Sequence, residues 1–281
     1  MTFAKSCFAI VLCGSICVGA SAADPTVATA APDSASPEAA PTESQLHARQ
    51  LIDAMAKYTA ALQRFSVTVH AGFDAVQSDG QKIQFLENRE MKIERPNHLR
   101  MTEHHTDGTG NDIIFDGTKI TIWSGQDAVF AQADQPDAID DSLIYFLRDL
   151  RMRLPLAPLF MSALPAQLDG RIVSIDYVES TRATGEPTDQ VAARMNTGVD
   201  VQVWIAQGDR PLPQRVVLTY RDAPGAPQFW AEFSDWNQKP KFDAKTFVFD
   251  APQHARQIAF AVQLPLIVEQ PTIAQPAGDH P

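Results

Sequence analysis

Alternation of apolar and polar residues over residues 65–75 constrains the fold of this chain more than any other feature. Every second residue in this stretch is apolar: Phe65, Val67, Val69, Ala71, Phe73 and Ala75. Successive side chains of a strand point to opposite faces, so this period predicts a long strand with one buried and one wet face. A strand of more than about ten residues is longer than usual and must curl, which favours a barrel wall over a flat sandwich.

Further strand patterns follow this one along the chain. Asp79-Gly80 predicts a two-residue hairpin turn, because both positions tolerate positive φ. The return strand carries Ile83, Phe85, Met91 and Ile93. Later strands are predicted around residues 99–101, 113–115, 120–122 and 129, and then at 173–177, 199–205, 216–220, 229–233 and 247–249. A meander is the simplest topology for the first of these two series, up to residue 129, and residues 181–196 show no clear pattern.

Two helices are predicted from apolar spacing of three or four residues. The first follows a capping box formed by Thr42 and Gln45, and its apolar stripe comprises Leu51, Ile52, Met55, Thr59 and Leu62. The second lies at the centre of the chain, and its stripe comprises Ile139, Leu143, Phe146, Leu147 and Leu150. Pro155 and Pro158 are expected to end this central helix.

The N-terminal 22 residues have the pattern of a secretory signal peptide. Lys5 precedes an apolar run over residues 8–18, and Ala20-Ser21-Ala22 provides a small-residue cleavage site. All three cysteines lie inside this segment, so the mature chain is expected to contain no thiol. Leu12 and Ile16 precede Cys13 and Cys17, where lipid attachment requires a small residue, so ordinary cleavage is favoured over a lipoprotein. The pattern therefore predicts export to the periplasm.

The remaining chain divides by composition into three parts. Residues 23–41 are rich in Ala, Pro and Ser and predict a disordered linker. Residues 42–260 are predicted to form a single β-rich domain, and residues 261–281 a proline-containing tail. No stretch of the mature sequence approaches the roughly 20 apolar residues of a membrane-spanning helix.

The charge of the mature chain disfavours two classes of partner. Removing Lys5 with the signal peptide leaves 22 basic and 34 acidic residues, a net charge of −12. A field of this sign repels nucleic acid and anionic membrane surfaces, so binding to either through charge is not expected.

Motifs that would indicate catalysis or a cofactor are missing from the sequence. The mature chain has no nucleophile elbow, zinc-protease helix, phosphate-binding loop or dinucleotide fingerprint.

One cluster could bind a metal: His98, Glu103, His104, His105 and Asp107. Adjacent residues of a strand point to opposite faces, so we favour polar side chains that are exposed to solvent at a strand end over a metal site. Four further acidic residues flank the central helix, and capping is favoured over calcium binding for them: Asp137, Asp140, Asp141 and Asp149.

Glu87 and Arg89 interrupt the apolar side of the predicted return strand. One interpretation is a β-bulge or a strand that crosses a barrel rim, with the two charges paired in water. The other is a contact to a polar head group at the mouth of a cavity. Bulges are common at rims, so the first interpretation is favoured.

Several turn and strand-end motifs resemble a known superfamily. Residues 95–100 (RPNHLR) and the turn at residues 115–120 (FDGTKI) resemble a strand pair of the LolA-like superfamily. Residues 203–205 (VWI), 208–213 (GDRPLP) and Arg215 resemble its second half. Residues 79–85, 209–220 and 223–228 with Trp236-Asn237 resemble a family of predicted periplasmic proteins of unknown function within that superfamily. The stretch 190–196 departs from the regular apolar strand of these relatives, which puts the central pairing in question.

The resemblance implies a mainly β (α+β) fold, a strongly curved antiparallel half-barrel with an N-terminal and a central helix over its concave face. It also implies a non-catalytic periplasmic protein that binds or carries a lipid or other hydrophobic ligand. An envelope protein-interaction or sensor module with the same fold is the main alternative, and an enzyme of unrecognised type is a third hypothesis. Aromatic and apolar residues that could line the cavity, or equally form ordinary core, are Phe85, Met91, Trp123, Phe130, Phe146, Leu150, Phe160, Trp204 and Phe229. No metal or cofactor is expected.

Overall fold

One open, curved sheet of twelve strands dominates the computed structural model, which describes residues 40–135 and 137–263. The strands are β1 (Arg64–Val76), β2 (Lys82–Glu94), β3 (His98–His105), β4 (Gly110–Phe115), β5 (Lys119–Ser124), β6 (Val129–Asp134), β7 (Ile172–Thr181), β8 (Thr188–Met195), β9 (Val199–Ala206), β10 (Pro213–Tyr220), β11 (Gln228–Asn237) and β12 (Arg256–Ile258). The helices are α1 (Glu43–Ala61), α2 (Ile139–Arg148), α3 (Ala157–Phe160) and α4 (Leu164–Leu168).

Two antiparallel meanders make up most of the sheet. The first runs from β1 to β6 and the second from β7 to β11, and they join where β1 pairs with β11. The short β12 pairs with β6 and is the only parallel strand among the described residues. The predicted curved antiparallel sheet is therefore confirmed, and so is the meander predicted for its first half; the second half is a meander as well.

The helices α1 to α4 pack against the same face of the sheet, which we call the inner face. β1 contributes Phe65, Val67 and Val69 to this face, and all three are at most 1% exposed. The opposite, outer face carries the alternate residues of each strand. Because the core lies between helices and inner face, the period of two in each strand is set by burial on one side only.

The N-terminal helix confirms the sequence prediction in detail. Thr42 caps α1, its hydroxyl accepts from the Gln45 amide at 3.3 Å, and the Gln45 side chain accepts from the Thr42 amide at 2.9 Å. This reciprocal pair satisfies backbone groups that a helix start otherwise leaves unpaired. Ile52 and Met55 are buried at the inner face, so the stripe that predicted the helix is also the surface that it buries.

Three local predictions are wrong, and one stretch that was left unassigned forms a strand. Residues 77–81 connect β1 to β2, and Gly80 has a φ of +87° whereas Asp79 is not in the left-handed region, so the turn is longer than two residues. Pro158 lies in the first turn of α3 and does not end a helix, since a proline at this position lacks only an N–H that has no helical partner. Residues 188–195 form the regular strand β8, although no strand was predicted there. Residues 247–249 form no strand.

The segment after β11 instead covers the outer face near β4 to β6. The Phe249 ring lies 5.8 Å from the Trp123 ring and 5.1 Å from the Phe130 ring, centroid to centroid. Arg100 on β3 donates to the Thr246 carbonyl at 3.2 Å and ties this segment to the sheet. The alternating phenylalanines therefore bury their rings against another element without entering the sheet.

Within the described residues, no helix has the length and apolar character needed to cross a membrane. The predicted signal peptide, the linker up to residue 39 and most of the predicted tail lie outside the described residues.

Candidate functional site

A cavity of about 230 Å³ lies between the inner face of β8 to β10 and the helices α1, α3 and α4. Val201 and Val203 of β9 and Leu218 of β10 form its floor, and Ile52 of α1 faces them. The remaining lining residues are Met55, Pro155, Leu156, Pro158, Leu159, Leu164, Gln167, Leu168, Arg171, Met195, Thr197, Val199 and Val216. An apolar cavity under a helical cover is the usual setting for binding a small hydrophobic molecule.

This space on the inner face belongs to the second meander. Under α2, the inner face of β3 to β5 encloses only about 20 Å³, because Phe146 and Leu143 of α2 pack into Phe115 and Ile120. Large side chains fill this half, whereas valines that alternate along β9 leave space in the other half. The cavity therefore follows from side-chain size on two halves of one sheet.

The open end of the cavity lies at one rim of the sheet, which we call the mouth rim. Arg171 and Thr197 line the cavity there and are exposed. Val199, another lining residue, pairs with Tyr220 at the end of β10. Burial raises the pKa of Tyr220, while the nearby Arg153 guanidinium opposes this rise. Arg171 is therefore an exposed cation that lines this end, and Arg153 is a second cation close enough to act electrostatically on Tyr220.

An apolar row leads along the inner face from the cavity to the β1–β2 hairpin. The register places Leu218, Phe229, Phe73 and Phe85 side by side across β10, β11, β1 and β2. Phe229 is buried, but Phe73 and Phe85 are 40% and 48% exposed, with ring centroids 5.6 Å apart. The mouth rim thus continues into an exposed aromatic surface.

Glu87 and Arg89 are buried on the inner face, 5% and 6% exposed. The pairing of β1, β2 and β3 is continuous there, so the favoured interpretation of a bulge with charges in water is wrong. Arg89 Nη2 lies 2.6 Å from Glu87 Oε1, Arg89 Nε lies 3.2 Å from Glu103 Oε1, and His105 Nε2 lies 3.9 Å from Glu103 Oε2. Burial raises the pKa of Glu87, and the Arg89 charge opposes this rise. We call these four residues the buried charge cluster.

The nine predicted cavity residues do not form one site. Five of them lie in the core between sheet and helices: Met91, Phe146, Leu150, Phe160 and Phe229. Phe85 lies at the mouth rim. Trp123, Phe130 and Trp204 lie on the outer face, which corrects the expectation that they line the concave side. None of the nine is among the described residues that line the 230 Å³ cavity.

Trp204 has a structural role on the outer face. The Arg215 guanidinium lies 5.6 Å from the Trp204 ring and 5.4 Å from the Trp230 ring, between two aromatic faces. Such cation–π contacts stabilise a sheet surface. Alternation predicts that a tryptophan lies on a strand but does not tell which face it joins.

The polar clusters singled out in the sequence lie apart from the cavity. The register puts His104 on the outer face and His105 on the inner face, as predicted from their adjacency. Among the described residues, no group of three His, Asp or Glu side chains is arranged to hold a metal ion. Asp140 accepts hydrogen bonds from the Ser162 and Ala163 amides at 2.9 Å each, so it ties α2 to the turn just before α4.

Several solved structures are similar to this chain at low identity. An uncharacterised conserved protein from Thermus thermophilus is 9% identical, with 76% of this chain and 99% of that chain covered and a TM-score of 0.44. The MucA/MucB complex of Pseudomonas aeruginosa contains a chain that is 16% identical, with 73% and 62% covered and a TM-score of 0.40. A LolA superfamily protein from Nitrosomonas europaea is 11% identical, with 72% and 97% covered and a TM-score of 0.37.

Sequence similarity identifies the family. No curated protein has significant similarity to the chain. A family model described as "Predicted periplasmic protein (DUF2092)" matches residues 48–261, which span nearly all of the described sheet and its helices. The family predicted from the turn and strand-end motifs is thereby confirmed: the chain belongs to the DUF2092 family of predicted periplasmic proteins.

Proposed function

We propose that this protein is exported by its N-terminal signal peptide and acts in the periplasm as a non-catalytic binding protein or carrier for a hydrophobic ligand. The observation that supports this proposal is the 230 Å³ cavity, whose walls are almost entirely aliphatic. Protein cores normally close such space, because each void forfeits packing contacts. A cavity of this size under a helical cover favours a guest.

The size of the cavity limits the ligand. A volume of 230 Å³ holds about eight groups the size of a water molecule, at about 30 Å³ each. Methylenes are of similar size, and each contributes about 0.8 kcal/mol when buried, or about four-fold in affinity. Affinity for straight-chain ligands should therefore rise about four-fold per carbon up to about eight to ten carbons and then level off.

Displacement of a fluorescent alkyl probe by neutral n-alkanols from hexanol to hexadecanol tests the proposal. Neutral alcohols isolate the contribution of the chain from any effect of charge. The expected result is one site per protein and an affinity that increases with length and then reaches a plateau. Absence of saturable binding for every alcohol in the series would reject a binding function for the cavity.

A variant with a filled cavity locates the site. Val201→Trp places an indole on the cavity floor, so it should abolish probe binding while the protein stays folded, since the added volume occupies existing space. Gln202→Trp on the same strand is the matched control, because Gln202 points to the outer face and pairs there with Ala192. Equal loss of binding in both variants would place the site elsewhere.

The exposed aromatic pair favours a second candidate, an envelope protein partner that binds at the mouth rim. Phe73, Phe85 and Ile83 are each about 40% exposed or more, and contiguous exposed apolar surface is typical of interaction sites. The double variant Phe73→Gln/Phe85→Gln should then lose a stoichiometric partner from an envelope extract while its affinity for alkanols is unchanged. Loss of alkanol binding with no partner found for the wild-type protein would instead assign the pair to the ligand site.

A further inference from the structure

Arg171 is the one charged side chain among the described residues that line the cavity. Its backbone is held in place, because its N–H donates to the Leu168 carbonyl at 3.3 Å and its carbonyl accepts from the Asn196 amide at 2.9 Å. Its guanidinium is exposed and forms no ion pair with a carboxylate among the described residues. The backbone of Arg171 is thus fixed by two hydrogen bonds, and its exposed guanidinium can contact a bound molecule.

Three carboxylates close to this rim already have partners. Asp222, whose carboxylate lies against Gly198 between the lining residues Thr197 and Val199, is exposed and pairs with Arg221 at 3.8 Å. Asp169, two residues before Arg171, pairs with Arg49 at 3.2 Å. Asp200 accepts from Arg194 at 3.0 Å and also pairs with Arg221, and it lies on the outer face. Within the part of the chain that the structure describes, no aspartate or glutamate lines the cavity. The whole chain has 34 acidic and 23 basic residues. The cavity lining has the opposite sign, with a single positive charge and no negative one, so it favours an anionic ligand.

Arg153 adds a second cation at the same rim. It is exposed and lies close enough to Tyr220 to affect that phenol electrostatically. Tyr220 pairs with Val199, and Val199 lines the cavity beside Thr197 and Arg171. The chain continues from Arg153 directly into Pro155 and Leu156 of the cavity wall. Arg171 and Arg153 therefore both lie near the open end of the cavity.

We propose that the cavity selects an anionic amphiphile, a single-chain molecule whose carboxylate or phosphate head group is bound by Arg171 and Arg153 at the mouth rim. This inference rests on the proposed function, since the aliphatic chain must first occupy the cavity. A guanidinium donates two parallel hydrogen bonds to a carboxylate or phosphate, and such charge-assisted pairs are stronger than neutral ones. The chain supplies affinity, and the arginines supply selection for the sign of the head group.

Four ten-carbon probes test this selection on the mature protein: decanol, decanoate, decyl phosphate and decyltrimethylammonium. Decanoate or decyl phosphate should bind at least about ten-fold more tightly than decanol, and the ammonium compound most weakly, as expected for one charge-assisted contact. The tighter of the two anions identifies the preferred head group. Equal affinity for decanol and both anions would overturn the inference and leave the proposed binding function intact, whereas failure of all four probes would remove the proposed function itself.

Charge variants assign the effect to these residues. Arg171→Gln should weaken binding of the preferred anion about ten-fold and leave decanol unchanged, and Arg153→Gln should have a smaller effect in the same direction. Arg210→Gln is the matched control, because it removes the same charge from an exposed position in the turn between β9 and β10, at the opposite rim. A loss for decanol equal to that for the anion in Arg171→Gln would show a purely structural role and contradict the proposal, and so would an equal effect of Arg210→Gln.

Discussion

Removal of Arg89 from the buried charge cluster is the strongest perturbation that the structure offers. Arg89 lies between two carboxylates, with 2.6 Å to Glu87 and 3.2 Å to Glu103. All three side chains are at most 13% exposed. Replacing Arg89 by Met keeps the aliphatic stem and deletes the charge, so two carboxylates then face each other without a guanidinium, with only His105 nearby among the described residues, 3.9 Å from Glu103.

The expected cost of Arg89→Met is about 3–5 kcal/mol of unfolding free energy at pH 7.5, because breaking a buried pair leaves an uncompensated buried charge. Arg64→Met on the adjacent strand is the control. Arg64 pairs with Glu94 at the surface, with side chains 46% and 28% exposed, so its loss should cost less than about 1 kcal/mol. Both variants remove one positive charge, so the difference between their losses of unfolding free energy gives the effect of burying the ion pair.

The pH dependence of the variant has a predicted sign. Burial already raises the pKa of Glu87, and Arg89 is the main group that opposes this rise. Without Arg89 the pKa of Glu87 rises further, so the folded state binds a proton more tightly than the unfolded state does. Stability gained in this way is complete below the ordinary glutamate pKa of about 4.3 and is lost as pH rises through the folded pKa. The deficit of Arg89→Met should therefore shrink as pH falls from 7.5 to 5.

Urea unfolding followed by tryptophan fluorescence, at pH 7.5 and pH 5, measures both effects. A triple variant, Arg89→Met/Glu87→Gln/Glu103→Gln, should recover much of the lost stability, because it removes the buried charges together. The reasoning is refuted if Arg89→Met costs no more than Arg64→Met at pH 7.5. A deficit that grows on acidification would refute the electrostatic explanation.

Three further predictions test separate parts of the structure. Gly72→Ala should cost about 1–3 kcal/mol and alter tryptophan fluorescence, because a Cβ there would lie 2.8 Å from the Trp230 indole; an unchanged spectrum and stability would contradict this contact. Asp140→Ala should cost about 2–4 kcal/mol in urea unfolding, since it removes the acceptor of three hydrogen bonds just before α4. Arg153→Gln should raise the pKa of Tyr220 further in an ultraviolet titration referenced to Tyr220→Phe, because the opposing positive charge is lost; no change would separate the two groups.

The sheet was largely predictable because each strand buries a single face, which imposes a period of two on the sequence. β8 was missed because Asp189, Gln190 and Arg194 obscure its alternation, although Val191 and Met195 share the buried parity. Residues 247–249 show the reverse case. Phe247 and Phe249 alternate as in a strand, but they bury their rings against the outer face instead.

The site was predicted less well than the fold, because a cavity depends on how side chains of different volume fill the core. Aromatic residues were chosen because they dominate burial, yet large side chains fill space and so close a cavity. The cavity lies over Val199, Val201 and Val203, which the sequence identifies as a strand but not as a wall. Alternation also leaves open which face is inner, so the sequence did not show that Trp123 and Trp204 lie on the outer face.

The central claim is that the inner face of β8 to β10 holds an aliphatic cavity that accepts one chain. A crystal structure of the mature protein grown with decanol tests it directly. The expected result is elongated density between Ile52 of α1 and Val201 and Leu218 of the sheet, with its hydroxyl end toward Arg171. A cavity closed by the protein's own side chains, or density found only on the exposed Phe73 and Phe85, would contradict the claim.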